Sequence, residues 1–242
     1  MEKTLKEWLR EQKFTLALSG GFFGFFSHAG FLAALIDEGI EPAKITGTSA
    51  GAIVAALYAS GHSTDEMKRI LFGFQRPDFW DPALGPGLLK GKKFESLLHD
   101  YVKDDFNQLK LPLAISAFDL IRFRTKVFSD NASVVKAVRA SASFPMLFHP
   151  VSYQGALLID GGVADDCAFQ SLAKEERVLS HYLLMGSRPN FRERQIFRRQ
   201  SSFRKFVAVH EKVPVGPTKL ARGPAAFDRA YVTIKERLLL PI

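Results

Sequence analysis

The 242-residue chain has the pattern of an α/β protein: a three-layer α/β/α fold around a mostly parallel central sheet. Three observations predict that class. Short apolar runs of strand length alternate with segments of helical periodicity along most of the chain. Two strand-to-helix joins are rich in glycine and serine, as tight turns at a sheet edge require. With 47% hydrophobic and 24% charged residues, the chain is long enough to bury a large core.

The elements follow in order. Leu5, Trp8 and Leu9 share one face of a short N-terminal helix that docks on the body. Residues 14–18 (FTLAL) form an apolar strand running into Ser19-Gly20-Gly21. A helix over 29–38 is closed by Gly39 and followed by Pro42. Ile45-Thr46 is a second, brief strand, and 49–60 an apolar helix that stops at Gly61. Ser63 and Glu66 have the spacing of a capping box for a helix over 63–74. Residues 75–91 (QRPDFWDPALGPGLLKG) read as a loop or lid. Beyond it come a helix over 92–102, strands over 111–118 and 124–129, and a helix over 132–140. A strand over 156–159 ends at Asp160-Gly161-Gly162; a helix over 169–176 and a strand over 178–185 follow. A proline- and glycine-rich segment over 213–224 precedes a last helix over 225–239.

Composition narrows the function classes. One cysteine, Cys167, allows no disulfide framework within the chain. The first fourteen residues carry charge throughout and lack the apolar core of a secretory signal. The longest apolar run, around 50–59, is about half the roughly 20 residues a membrane span needs. A cytoplasmic protein, able to work at a membrane periphery, is expected. The net charge of +8 concentrates between Arg188 and Lys205, where six arginines and one lysine face a single glutamate. Such a stretch reads either as a solvated basic face or mobile loop, or as a contact for an anionic membrane surface, and Arg192 and Arg199 interrupt its apolar face. No nucleic-acid module accompanies the charge, so nucleic acid is not an expected partner.

Gly47-Thr48-Ser49-Ala50-Gly51 is a Gly-x-Ser-x-Gly turn placed between a strand and a helix. Its glycines permit a tight elbow that leaves the Ser49 oxygen uncovered, and the following helix turns its N–H groups toward developing negative charge. Ser49 is therefore a candidate nucleophile, with a simple helix cap as the other reading. Of six histidines only His181 and His210 follow Asp160, and neither lies at a strand-end loop where a triad histidine belongs. Asp160 does lie at a strand end, the edge of an open sheet where ligands bind. The earlier segment LSGGFFGFFSHAGFL presents glycine N–H groups to an anion. It lacks both the G-x-G-x-x-G fingerprint and the Walker lysine. Four phenylalanines among its glycines favour an apolar substrate over a nucleotide.

Together, the glycine-rich loop, Gly-x-Ser-x-Gly and Asp-Gly-Gly, in that order, resemble the patatin-like phospholipase family in its short, bacterial-type form. GLLKGKKFESLL, LPLAISAFDL and VRASASFPMLFHPV look like further blocks of that family, and the likeness covers about 14–185. The resemblance implies a Ser49–Asp160 dyad that works without histidine. Gly47 and Gly51 belong to the elbow, Gly161 and Gly162 to the Asp-Gly-Gly motif, and Gly20, Gly21, Phe22 and Gly24 to an oxyanion loop. Two departures stand out: the arginine the family carries in that loop is missing, and its Asn-x-Pro after the aspartate is replaced by Asp166-Cys167-Ala168.

The implied function is a lipid acyl hydrolase of phospholipase A or lysophospholipase type, acting through an acyl-enzyme. A thioesterase, acylglycerol lipase or transacylase on the same dyad is the alternative, as is a non-catalytic lipid-binding protein with a degenerate loop. Residues 1–187 form the expected hydrolase domain, and 188–242 a basic extension packed on it. The expected partners are a lipid substrate and an anionic membrane. No metal or organic cofactor is implied, since no ligand cluster has metal spacing.

Overall fold

The computed structural model describes residues 2–184, 206–212 and 220–242. The basic stretch 188–205, with its expected membrane role, lies outside the described residues. Helix α1 (Leu5–Glu11) starts at a capping box in which Thr4 and Glu7 satisfy each other's backbone N–H, and it buries Leu5, Trp8 and Leu9. Strand β1 (Thr15–Leu18) is buried at every residue, as a central strand covered on both faces must be. Then come α2 (Phe25–Asp37), β2 (Lys44–Gly47), α3 (Ala50–Ala59) and α4 (Thr64–Gly73). The Ser63–Glu66 capping box opens α4 as its spacing predicts.

Residues 75–91 hold more structure than a loop: α5 (Arg76–Phe79) and a three-residue strand, β3 (Gly87–Leu89). Helix α6 (Lys92–Tyr101), strands β4 (Leu113–Asp119) and β5 (Arg124–Phe128), and helix α7 (Val134–Ser141) follow. Two further short strands, β6 (Met146–Phe148) and β7 (Val151–Tyr153), precede β8 (Ala156–Asp160). After β9 (Val178–Leu184) the described chain adds β10 (Phe206–Lys212) and α8 (Gly223–Leu238).

The main sheet runs β10-β9-β1-β2-β4-β8-β7, with β5 also on β4. Pairings from β10 through β4 are parallel, whereas β5, β8 and β7 join antiparallel. Helices flank this sheet in an α/β arrangement. Helix α2 is buried from Phe25 to Leu35, all round its circumference, because α8 covers its outer side. The two helices cross so closely that a Cβ on Gly30 would strike the Phe227 carbonyl. Ala226, Phe227, Ala230, Ile234 and Leu238 form the buried stripe of α8.

Three local expectations change. Helix α2 begins at Phe25, four residues before the predicted 29. The helix expected over 169–176 is a single 3-10 turn, Phe169–Ser171: the Asp165 carboxylate caps the Phe169 and Gln170 N–H groups at its start, and the turn ends where Leu172 becomes extended and the Ala173 N–H donates to the Glu176 carboxylate. Strands β6 and β7 are too short for periodicity to reveal.

Candidate active site

The C-terminal ends of β1 and β2 lie side by side, with Leu18 opposite Gly47. There the chain turns sharply into α3. A Cβ on Gly47 would come within 2.5 Å of the Gly51 backbone, and one on Gly51 would strike the Leu18 carbonyl, so glycine is a packing requirement at both. Between them Ser49 has φ 52° and ψ −115°, a strained conformation for a non-glycine residue. Its hydroxyl makes no capping bond to α3, which sets aside the helix-cap reading. Its own N–H donates to Ser141 Oγ at 2.8 Å, and the residue is half-buried. Thr48 Oγ1 anchors the elbow through Ser116 Oγ (2.6 Å) and the Asp165 carbonyl (2.9 Å).

Asp160 reaches this edge from the opposite direction. Strand β4 extends past β2, and β8 returns antiparallel along it, pairing Asp160 with Ala117 two residues beyond the Ile115–Gly47 pair. The Asp160 N–H donates to the Ser143 carbonyl (3.0 Å), and its Oδ1 accepts from the Gly162 N–H (2.8 Å). A Cβ on Gly161 would strike the Ser116 carbonyl, which accounts for that glycine. Gly162 lies beside two carboxylates: its Cβ position is 3.0 Å from Asp160 Oδ1 and 3.1 Å from Asp166 Oδ1.

Asp166 is the residue whose importance sequence reasoning missed, although its departure from the family pattern was a signal. Its Oδ1 accepts from the Gly20 N–H (3.0 Å), and its Oδ2 lies 2.6 Å from the Tyr182 hydroxyl. The residue surface is partly open, but both carboxyl oxygens face protein donors. Enclosure, opposed by the Tyr182 hydrogen bond and aided by the Asp160 charge, pushes its pKa up to about 7.

The glycine-rich loop does not offer every expected N–H. Gly20 donates to the Asp166 carbonyl (2.9 Å) as well as its carboxyl, and Gly24 donates to the Gly21 carbonyl (2.6 Å). Among the described residues, the N–H groups of Gly21, Phe22 and Ala50 have no protein acceptor. A buried histidine pair steadies the loop from beneath. His28 Nε2 lies 2.8 Å from the Ser19 carbonyl and must carry the hydrogen; Nδ1 of neutral His28 then accepts from His181 Nδ1 at 2.9 Å. Burial holds His28 well below its ordinary pKa and pushes His181 down to about 3. His181 also stacks on Phe31.

Ser49 and Ala50 open onto a largely apolar pocket continuous with solvent. Phe22, Phe23 and Phe25 line it from the glycine-rich loop, while Phe26 turns away to pack on Phe72. Phe74 and Phe79 come from around α5, and Phe144, Leu147 and Phe148 from around β6. Phe22 meets Phe144 with ring centroids 5.3 Å apart. Arg139, buried in α7, fastens this wall: it donates to the Gly91, Lys90 and His149 carbonyls and to Ser143 Oγ. Its burial lowers its pKa to about 10. Among the described residues no group of histidine, cysteine and carboxylate side chains is arranged to hold a metal ion.

An open α/β sheet with a strained serine elbow and an apolar pocket at its strand ends defines the hydrolase-like class to which the chain conforms. The patatin-like phospholipase model matches residues 16–173, and the chain belongs to that family. It is 31% identical over 188 residues to an uncharacterized protein of Acanthamoeba polyphaga mimivirus, covering 67% of this chain and 62% of that one. An uncharacterized NTE family protein of Mycobacterium tuberculosis is 29% identical over 162 residues, covering 65% of this chain and 45% of the relative. The chain thus spans less than two thirds of either relative. In fold it is similar to VipD from Legionella pneumophila, with a TM-score of 0.57 at 14% identity, over 93% of this chain and 66% of that one. No described helix is long and apolar enough to cross a membrane.

Proposed function

We propose that this protein hydrolyses carboxylic esters of lipids, as a phospholipase A or lysophospholipase, with Ser49 as nucleophile and Asp160 as general base. The observation that carries the reading is a serine held in a strained elbow, free of capping duty, at the floor of an apolar pocket. The ionised Asp160 takes the Ser49 proton as Oγ bonds to the acyl carbon. The carbonyl oxygen becomes negative and is received by the N–H groups of Gly21, Phe22 and Ala50. Collapse breaks the ester bond, and Asp160 returns the proton to the departing alcohol. Water then attacks the acyl-enzyme, gives its proton to Asp160 and releases the fatty acid, which restores the Ser49 hydroxyl.

The pocket lining selects for an apolar acyl chain and offers little to a polar head group. A lipid surface fits the outside of the same wall. Leu84 and Met146 are exposed by 102% and 85%, and Leu88 and Phe144 are exposed beside them. Strand pairing of Gly87 with Met146 makes this patch continuous with the pocket, since Phe144 belongs to both. The deciding experiment combines fluorophosphonate labelling with lipid mass spectrometry after adding wild type or Ser49→Ala protein to phospholipid vesicles. Labelling and fatty-acid release lost in Ser49→Ala support the reading. A wild-type protein that binds vesicles without labelling or turnover makes it a lipid-binding protein instead.

A further inference from the structure

The second carboxylate of the site has no part in the reaction just described. We propose that Asp166 is a positioning residue: held between the Gly20 N–H and the Tyr182 hydroxyl, its carboxyl ties the oxyanion loop to the Asp160 turn productively as a neutral acid, and its ionisation weakens catalysis. The proposal rests on the reading of Ser49 and Asp160 as the reacting pair.

The geometry is that of a clamp. Gly20, where the loop starts, is joined to Asp166 through both carbonyl and carboxyl oxygens. A Cβ on Gly20 would lie 2.5 Å from Asp166 Oδ1 and 3.6 Å from the Ser49 Cβ, so carboxyl, loop and nucleophile meet at one point. On the other side Gly162 separates Asp166 Oδ1 from Asp160 Oδ1. Burial is the main cause that raises the Asp166 carboxyl, and the Asp160 charge nearby adds to it, so of the two Asp166 keeps its proton more readily. Asp160 must be ionised to accept the Ser49 proton, so the neutral acid is Asp166.

Asp166 Oδ1 accepts from the Gly20 N–H, and its Oδ2 accepts from the Tyr182 hydroxyl at 2.6 Å, a normal O–H···O length. The titratable groups around it are Asp160 on the turn, Asp165 and Cys167 along the chain, and Tyr182 on β9, with His210 of β10 against the Tyr182 ring. Once Asp166 ionises, a negative charge borders the loop that must receive the oxyanion. The upward displacement of its pKa to about 7 puts this change within the working range of an enzyme.

Asp166→Asn separates clamp from charge, because the amide offers the same acceptor and a donor but does not titrate. Hydrolysis of a soluble short-chain ester is followed by product chromatography from about pH 5.5 to 9. Wild type is expected to lose kcat/KM about tenfold as pH rises through the region near 7, and Asp166→Asn to hold its acid-side rate across it. Tyr182→Phe removes a hydrogen bond that favours the ionised carboxyl, so its decline moves to higher pH. Parallel wild-type and Asp166→Asn profiles, even with the variant uniformly slower, overturn the proposal.

A second readout needs no turnover. A carboxyl whose pKa is raised in the folded state lowers stability as pH rises from its unfolded value toward 7. The Tm gain of Asp166→Asn over wild type therefore grows between about pH 5 and 8; a gain independent of pH also overturns the proposal. Ser49→Ala and Asp160→Asn are run beside it. Turnover surviving in either sinks the reacting-pair reading, while the Tm comparison still judges Asp166 on its own.

Discussion

The floor and the wall of the pocket are built by opposite means. At the floor, Gly47 packs on Gly51, Gly51 on Leu18 and Gly161 on Ser116, backbone against backbone; Thr48 and Ser116 bond each other and the Asp165 carbonyl, and Ser141 Oγ accepts from the Ser49 N–H. The wall is a set of phenylalanine and leucine side chains drawn from four separate segments, several of them half-buried or exposed. The floor has no tolerance, because a backbone atom cannot swing aside for an added carbon. The wall tolerates exchange of one apolar group for another. Under the proposed function, reaction chemistry belongs to the floor and choice of acyl chain to the wall.

The largest effect expected tests the floor. Ser49→Ala and Asp160→Asn each reduce turnover by about a thousandfold or more with an unchanged melting temperature, because the two act as one unit. Steady-state hydrolysis together with thermal unfolding checks this. Folded, active Asp160→Asn alongside a dead His181→Ala would transfer the base to the histidine pair. Next comes the loop between floor and wall. A Cβ on Gly21 falls 2.8 Å from the Leu183 side chain, so Gly21→Val displaces the loop and costs roughly a hundredfold in kcat, comparable to losing one oxyanion donor. Retention of full kcat would remove Gly21 from the oxyanion site.

The outer wall should matter less to chemistry and more to access. Replacing Leu84 and Met146 together by aspartate is expected to weaken vesicle binding by about tenfold or more, since two exposed apolar side chains lose their lipid contact. Hydrolysis of a soluble ester should be unchanged; cosedimentation indistinguishable from wild type excludes this face as the lipid contact. The smallest effect is expected inside the wall. Phe144→Ala opens space beside Phe22 and shifts preference among acyl chain lengths by a few-fold, with little change in kcat for the best substrate. A large fall for all chain lengths alike would mean that the wall also supports the floor.

Much of the floor was legible in the chain itself. Gly47, Ser49 and Gly51 lie within five residues of one turn, and Asp160-Gly161-Gly162 closes one strand, so local spacing carried their placement. The alternation of apolar strands with helices determined the α/β class, and Ser63 with Glu66 determined a helix start, because each rests on neighbours a few residues apart. Tertiary structure alone decided how distant pieces meet. It turned β8 antiparallel so that Asp160 returns to the Ser49 edge, and set Asp166 against Gly20, 146 residues away along the chain. It also reduced the helix expected over 169–176 to one turn, because Leu172 is extended and the Glu176 carboxylate takes the Ala173 N–H. Which loop N–H groups lack a protein acceptor among the described residues followed from the same packing: Asp166 engages Gly20, the Gly21 carbonyl engages Gly24, and those of Gly21 and Phe22 remain. Local spacing cannot encode such contacts, since a hydrogen-bond partner is chosen by distance in space and sequence order carries no measure of it.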